Sequence, residues 1–174
     1  GFDYWFGLSN GAHPNHRNPT NFLRNGKPVG PMKGYSCQIV VSDAINWLET
    51  KANPDQPFFM NIWFNEPHSK LAAPAEIVSF YGDLKDEAAI YSATIDNTDR
   101  AIGRLVAKLK AMGKLDNPLI IYSSDHGSYR PDRNGNKGSN FQGGLRSPGI
   151  FFWPDGIRGG RIESTVSGSV DLLP

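Results

Sequence analysis

One long amphipathic segment, from about Asp86 to Met112, does most to limit the folds open to this chain. Ile90, Thr94, Ile95, Thr98, Ala101, Ile102, Leu105, Val106, Leu109 and Met112 recur at helical spacing and trace one face. Asp99, Arg100, Arg104, Lys108 and Lys110 lie opposite and predict a solvated side. Gly113 supplies the stop. On either side stand short apolar runs, Pro57–Phe64 and Leu119–Ser123, rich in strand formers. Each reads as a strand buried on both faces. Strand, helix, strand with short connections is a βαβ signature, so the sequence predicts an α/β fold with a mainly parallel sheet. In such sheets the ligand sits outside the carboxyl ends of the strands. Asn65–His68 and Asp125–His126 fall at those ends, and the two segments are expected to converge on one site.

The rest of the chain is less regular. Residues 1–36 are rich in Gly, Asn, Pro and aromatics, which favours loops and short elements. A helix is expected from about Ser42 to Lys51, with Ser42 as N-cap and Asn53-Pro54 ending it. Ser147–Trp153 reads as a third strand, with Pro148 at its entrance. The chain starts at Gly1 without Met, and Val170-Asp-Leu-Leu-Pro174 resembles a helix beginning. Residues 1–174 therefore read as an internal piece of one domain.

A net charge of +1 on 174 residues makes no case for a nucleic-acid or membrane-surface partner. The longest apolar runs are too short to span a bilayer. Cys37 is the single cysteine, which rules out an internal disulfide and a cysteine-based zinc site. No base lies near it in sequence, so it reads as a small buried residue.

Adjacent Asp125 and His126 at a strand end can point to one centre and hold a metal; a turn Asp beside an exposed His is the alternative. Gly127 lets the backbone turn there. Lys137 lies in a polar loop with little apolar anchoring, either an anion contact or a solvated lysine. Arg130, Arg133 and Arg146 share the region against Asp132, a weak positive cluster that fits an anionic substrate. His68 has the titration range of a proton donor to a leaving group, or is a structural histidine. His13 and His16, in a loop with Arg17, either contact substrate or are surface histidines.

Several segments in order resemble the type I sulfatases of the alkaline phosphatase superfamily. They are Gly1-Phe-Asp-Tyr-Trp-Phe-Gly7, Phe58–His68 ending in Pro-His, Asp99-Arg-Ala-Ile-Gly103, Ser124-Asp-His-Gly127, and Lys137 to Pro154 with its Gly-Gly-Leu-Arg-Ser-Pro core. The start and the Asn25–Gly30 stretch look closest to arylsulfatase A and N-acetylgalactosamine-6-sulfatase relatives. The resemblance implies hydrolysis of sulfate esters of carbohydrate or aryl substrates. It implies that Asp125 and His126 ligate a divalent cation, usually calcium in the family. It also implies that Lys137 bridges the sulfate and the leaving oxygen, and that His68 contacts the same oxygens and protonates the leaving group. Arg146 and His13 are further substrate contacts on this reading. An extracytoplasmic or lysosomal location is implied as well.

Three departures qualify the resemblance. The family more often has Asn at the position of His126, and a nitrogen ligand leaves room for magnesium, manganese or zinc. His126 also keeps open a phosphodiesterase or phosphonate monoester hydrolase of the same superfamily. Gln142 replaces the usual Glu. The family's nucleophile, a formylglycine made in a Cys/Ser-x-Pro-Ser-Arg motif, has no counterpart in these residues. The 174 residues alone are therefore expected to be inactive. A non-catalytic sulfoglycan-binding protein is the third alternative.

Overall fold

The computed structural model describes residues 1–128 and 134–172. Arg130, Asp132 and Arg133 lie outside the described residues. The chain divides into two compact units, Gly1–Ala111 and Met112–Pro174.

The first unit opens with a three-stranded antiparallel sheet, β1 (Phe6–Leu8), β2 (Phe22–Arg24) and β3 (Lys27–Pro28). Asn25 and Gly26 join β2 to β3, both with positive φ (46° and 83°). That is the two-residue hairpin turn Asn-Gly favours. Phe6 stacks on Phe22 at 4.6 Å. Tyr4 and Arg24 both reach Asp43, tying this sheet to the next helix.

Helix α1 spans Ser36–Thr50, starting earlier than expected. Ser42 is no N-cap: it sits inside α1, with its hydroxyl donating to the Gln38 carbonyl at 2.8 Å. Tyr35 precedes the helix and provides no side-chain cap. The Glu66 carboxylate does that work, accepting from the Cys37 amide at 2.8 Å and from the Ser36 hydroxyl.

Helices α2 (Ala75–Tyr81) and α3 (Glu87–Ala111) complete the unit. Gly113, with φ +66°, follows as the expected stop. The buried face of α3 consists of small residues, Ala89, Ala93, Thr94, Asn97, Thr98 and Ala101, with Leu109. Ala89 and Ala93 pack with Ile77 and Val78 of α2. Ala101 packs with Cys37 and Val41 of α1. The predicted stripe is rotated by this preference, and Ile95 is exposed. Its expected solvated side also grips α1. Arg104 donates to Gln38 Oε1 at 2.6 Å and to Ser42 Oγ at 3.1 Å, and Lys108 pairs with Glu49. Buried Asn97 is satisfied by Gln38 and by Cys37 Sγ at 3.3 Å. Left unmet, such an amide costs about 1–3 kcal/mol. Burial, and then the Glu66 charge, push the Cys37 thiol up to about 12, so it is an inert core group.

Pro57–Phe64 forms no strand among the described residues. A strand needs a pairing partner as well as β-formers, and none is described for this run. Instead of being buried, Phe59 is 78 % and Trp63 82 % exposed.

In the second unit β4 (Ile120–Ser123) pairs antiparallel with β5 (Gly149–Phe152) in the register Ile120↔Phe152 to Ser123↔Gly149. The class is α/β, but the pairings among the described residues are antiparallel rather than parallel. Ile121, Tyr122, Ile150, Phe151 and Phe152 are exposed, against the expectation of burial. A short helix α4 (Gln142–Leu145) and a 3-10 turn at Ser169–Asp171 complete the unit.

Candidate active site

The second unit brings Asp125, His126 and the Lys137 loop to one end of the β4–β5 pair through glycines. Gly127 donates to the Gly144 carbonyl at 2.7 Å, and Gly143 donates to the Asn134 carbonyl at 2.8 Å. A Cβ on Gly127 would lie 2.3 Å from the Gly143 carbonyl oxygen. One on Gly143 would lie 2.1 Å from the Gly135 oxygen, and one on Gly144 2.3 Å from that of Ser139. Three segments therefore pack backbone on backbone: the turn after β4, α4, and the loop at 134–140. The adjacent glycines, readable in sequence only as freedom, are present because no side chain fits between these segments.

Asp125 and His126 follow β4. His126 Nε2 is 3.5 Å from Asp125 Oδ2. His126 Nδ1 lies 2.6 Å from the Gly127 carbonyl oxygen. A carbonyl only accepts, so Nδ1 carries a hydrogen and Nε2 is the ring nitrogen that faces the carboxylate. Both atoms can touch one cation, since metal bonds of about 2.0–2.6 Å span that gap. This donor pair fits a divalent ion, and the backbone bond on Nδ1 is the usual orienting partner of a ligand histidine. No cluster of three or more His, Cys, Asp or Glu ligands occurs among the described residues. The Asp125 side chain is 81 % exposed.

Lys137 is exposed, in the turn closed by the Ser139 amide on the Asn136 carbonyl at 3.0 Å. Arg146 is also exposed and closes α4 through its amide on the Gln142 carbonyl.

The first unit holds His68. Its ring is exposed, and Nδ1 lies 2.7 Å from the Ser69 carbonyl oxygen. By the same donor rule Nε2 is the nitrogen left for a ligand. His13 is exposed, with its loop fixed by the bond from its amide to Asn21 Oδ1 at 3.0 Å. His16 is not a surface histidine: it is 1 % exposed, bonded to Ser36 Oγ and to the His68 carbonyl. Sequence reasoning missed this group and the role of Glu66. Their partners lie far apart in the chain, so no local signal marks them.

Comparison with known proteins decides the family. The Sulfatase family model matches residues 1–174. The chain belongs to the sulfatase family. This sulfatase segment is 26 % identical to the uncharacterized sulfatase YdeN of Escherichia coli K12, over 100 % of the chain and 32 % of that protein. It is 23 % identical to mouse N-acetylgalactosamine-6-sulfatase, over 99 % of the chain and 37 % of that protein. Against the endo-4-O-sulfatase of Bacteroides thetaiotaomicron the identity is 26 %, over 100 % of the chain and 39 % of the relative. Among solved structures it resembles Ps i-CgsB with a TM-score of 0.82 and 28 % identity, over 92 % of this chain and 41 % of that one. The sulfatase segment thus spans 32 % to 39 % of the length of these curated relatives. Its solved neighbours have the alkaline-phosphatase-like fold, which confirms the expected class.

Proposed function

We propose that this segment works within a sulfuric ester hydrolase acting on sulfated carbohydrates or aryl sulfates. The observation that carries the reading is the family match over all 174 residues. The glycine-held approach of the Lys137 loop to Asp125–His126 supports it. A relative named N-acetylgalactosamine-6-sulfatase, and a structure of Ps i-CgsB with k-i-k-neocarrahexaose, favour a glycan ester.

The Lys137 ammonium neutralises sulfate oxygens, a role that suits an exposed cation on a braced loop. His68, with its Nδ1–H held by the Ser69 carbonyl, acts in its imidazolium form and passes the Nε2 proton to the leaving oxygen as the sulfur–oxygen bond breaks. Arg146 and His13 are candidates for further substrate contacts. Asp125 and His126 would supply part of a divalent cation site, calcium by family resemblance, with the His126 nitrogen also suiting manganese or zinc. Such an ion, when bound, offsets the sulfate's negative charge. The formylglycine nucleophile would come from outside these residues. An extracytoplasmic location fits the resemblance; no helix among the described residues is long and apolar enough to cross a membrane.

The test is a full-length protein carrying this segment, assayed on paired aryl sulfate and aryl phosphate with its metal content measured by mass spectrometry. Sulfate is expected to win in kcat/KM, and Asp125→Asn is expected to lower bound metal and turnover together. Preference for phosphate would instead favour the phosphoesterase reading that His126 keeps open. The 174 residues alone should give no turnover of an aryl sulfate, and measurable release of the phenol would refute the missing-nucleophile account.

A further inference from the structure

We propose that His16 is a positioning residue for His68. It is a buried imidazole that fixes the backbone of the turn from which the His68 ring projects. This rests on the reading that His68 meets the substrate.

The geometry begins with donors and acceptors. His16 Nε2 lies 2.6 Å from the His68 carbonyl oxygen, which can only accept, so Nε2–H points at His68. His16 Nδ1 lies 3.0 Å from Ser36 Oγ and 3.6 Å from Glu66 Oε1. The Ser36 amide in turn donates to the His16 carbonyl at 2.8 Å. Glu66, just upstream of His68, binds the start of α1 through the Ser36 hydroxyl and the Cys37 amide. The turn itself closes with the His68 amide on the Asn65 carbonyl at 2.9 Å. Both ends of the Asn65–His68 turn are thus fastened to the N-terminus of α1, one by the Glu66 side chain and the other by His16.

The contrast with the His68 ring gives this arrangement its functional meaning. His16 is 1 % exposed and the Glu66 side chain 2 %, whereas the His68 residue is exposed. An immobilised backbone beneath an accessible ring nitrogen is what a proton donor requires for a fixed attack geometry. The set Ser36, His16 and Glu66 has the composition of a hydrolase triad but not its chemistry. Ser36 is buried and its hydroxyl donates to the carboxylate, so it presents no nucleophile. Packing alone would be served more cheaply by apolar residues, because buried polar groups gain only when their bonds are made. The direct bond to His68 is what an apolar residue could not supply.

The experiment uses the full-length enzyme and aryl sulfates graded in leaving-group acidity, from 4-nitrophenyl sulfate to phenyl sulfate and an alkyl sugar sulfate. His16→Leu removes both ring nitrogens at similar volume. His16→Gln keeps an N–H near the position of Nε2. For His16→Leu, kcat on the poor leaving groups is expected to fall roughly 10–100-fold, a fraction of what general acid catalysis supplies. KM and turnover of 4-nitrophenyl sulfate should change little, and His16→Gln should restore most of the loss. Ser36→Ala, which keeps the ring but loosens it, should give a smaller loss with the same leaving-group signature and serves if His16→Leu fails to fold. Equal losses on good and poor leaving groups, or losses that merely follow Tm, would overturn the proposal. His68→Ala separates the two readings. If it shows the leaving-group signature and the His16 and Ser36 variants do not, only the positioning role falls. If His68→Ala shows none, the donor reading falls and the positioning role with it.

Discussion

Lys137→Ala in the full-length sulfatase is expected to lower kcat on an aryl sulfate by roughly 10²–10³-fold, the scale of removing one preorganised charge-stabilising group. Thermal stability should stay within about a degree of the parent, because an exposed side chain away from caps and packed interfaces contributes little. Lys137 is exposed and no side-chain bond is described for it, so the substitution removes charge without opening a cavity or stranding a partner. Lys137→Arg should recover part of the loss: it keeps the charge but replaces a compact ammonium with a planar fork of different reach. Kinetics on purified protein, paired with a melting curve, check both halves. Unchanged turnover in Lys137→Ala would remove the residue from the mechanism.

Gly143→Ala should damage the same loop by a different route. The added carbon would sit 2.1 Å from the Gly135 carbonyl oxygen and 2.7 Å from that of Asn134. Both obstacles are backbone, so relief requires moving the loop that carries Lys137. The expected cost is about 1–3 kcal/mol of stability, the range for overpacking, with a larger loss of turnover than the stability change explains. Gly103→Ala in α3 is the control. Nothing lies within 4 Å of its added carbon, and alanine in a helix interior gains roughly 0.5–1 kcal/mol over glycine. Melting curves and kinetics on the pair decide the matter. A Gly143→Ala protein with normal turnover would show that the loop tolerates displacement.

The parts of the fold that rest on local periodicity were readable. Helix α3 runs Glu87–Ala111 against an expected 86–112, and Ile120–Ser123 lies within the expected Leu119–Ser123. What depended on distant partners was not. The start of α1 is set by Glu66 and not by a local cap, so Ser42, a cap-forming residue type, marks no boundary and sits inside the helix. On the packed face of α3 the stripe held Thr94, Thr98, Ala101 and Leu109, whereas Ala89, Ala93 and Asn97, small or polar, carry little apolar signal of their own. Pro57–Phe64 has strand composition, but composition cannot supply the neighbour that makes a strand. At the candidate site, the closeness of the Asp125 and His126 side chains was legible because adjacency is a sequence property. Burial of His16 was not, since it comes from residues 36, 66 and 68 closing around it.

The capping of α1 by Glu66 also bears on the order in which the chain can mature. Ser36 and Glu66 are separated by 30 residues, so during synthesis the helix emerges well before the group that completes its first turn. Until the Asn65–His68 turn arrives, the opening amides of α1 are left to water, and its first turn is free to fray. The contact is non-local, and its closure entropy must be met before helix and turn stabilise one another. Helix start and histidine turn are therefore expected to become ordered together, since a nascent chain that has not yet delivered Glu66 lacks the bonds that join them.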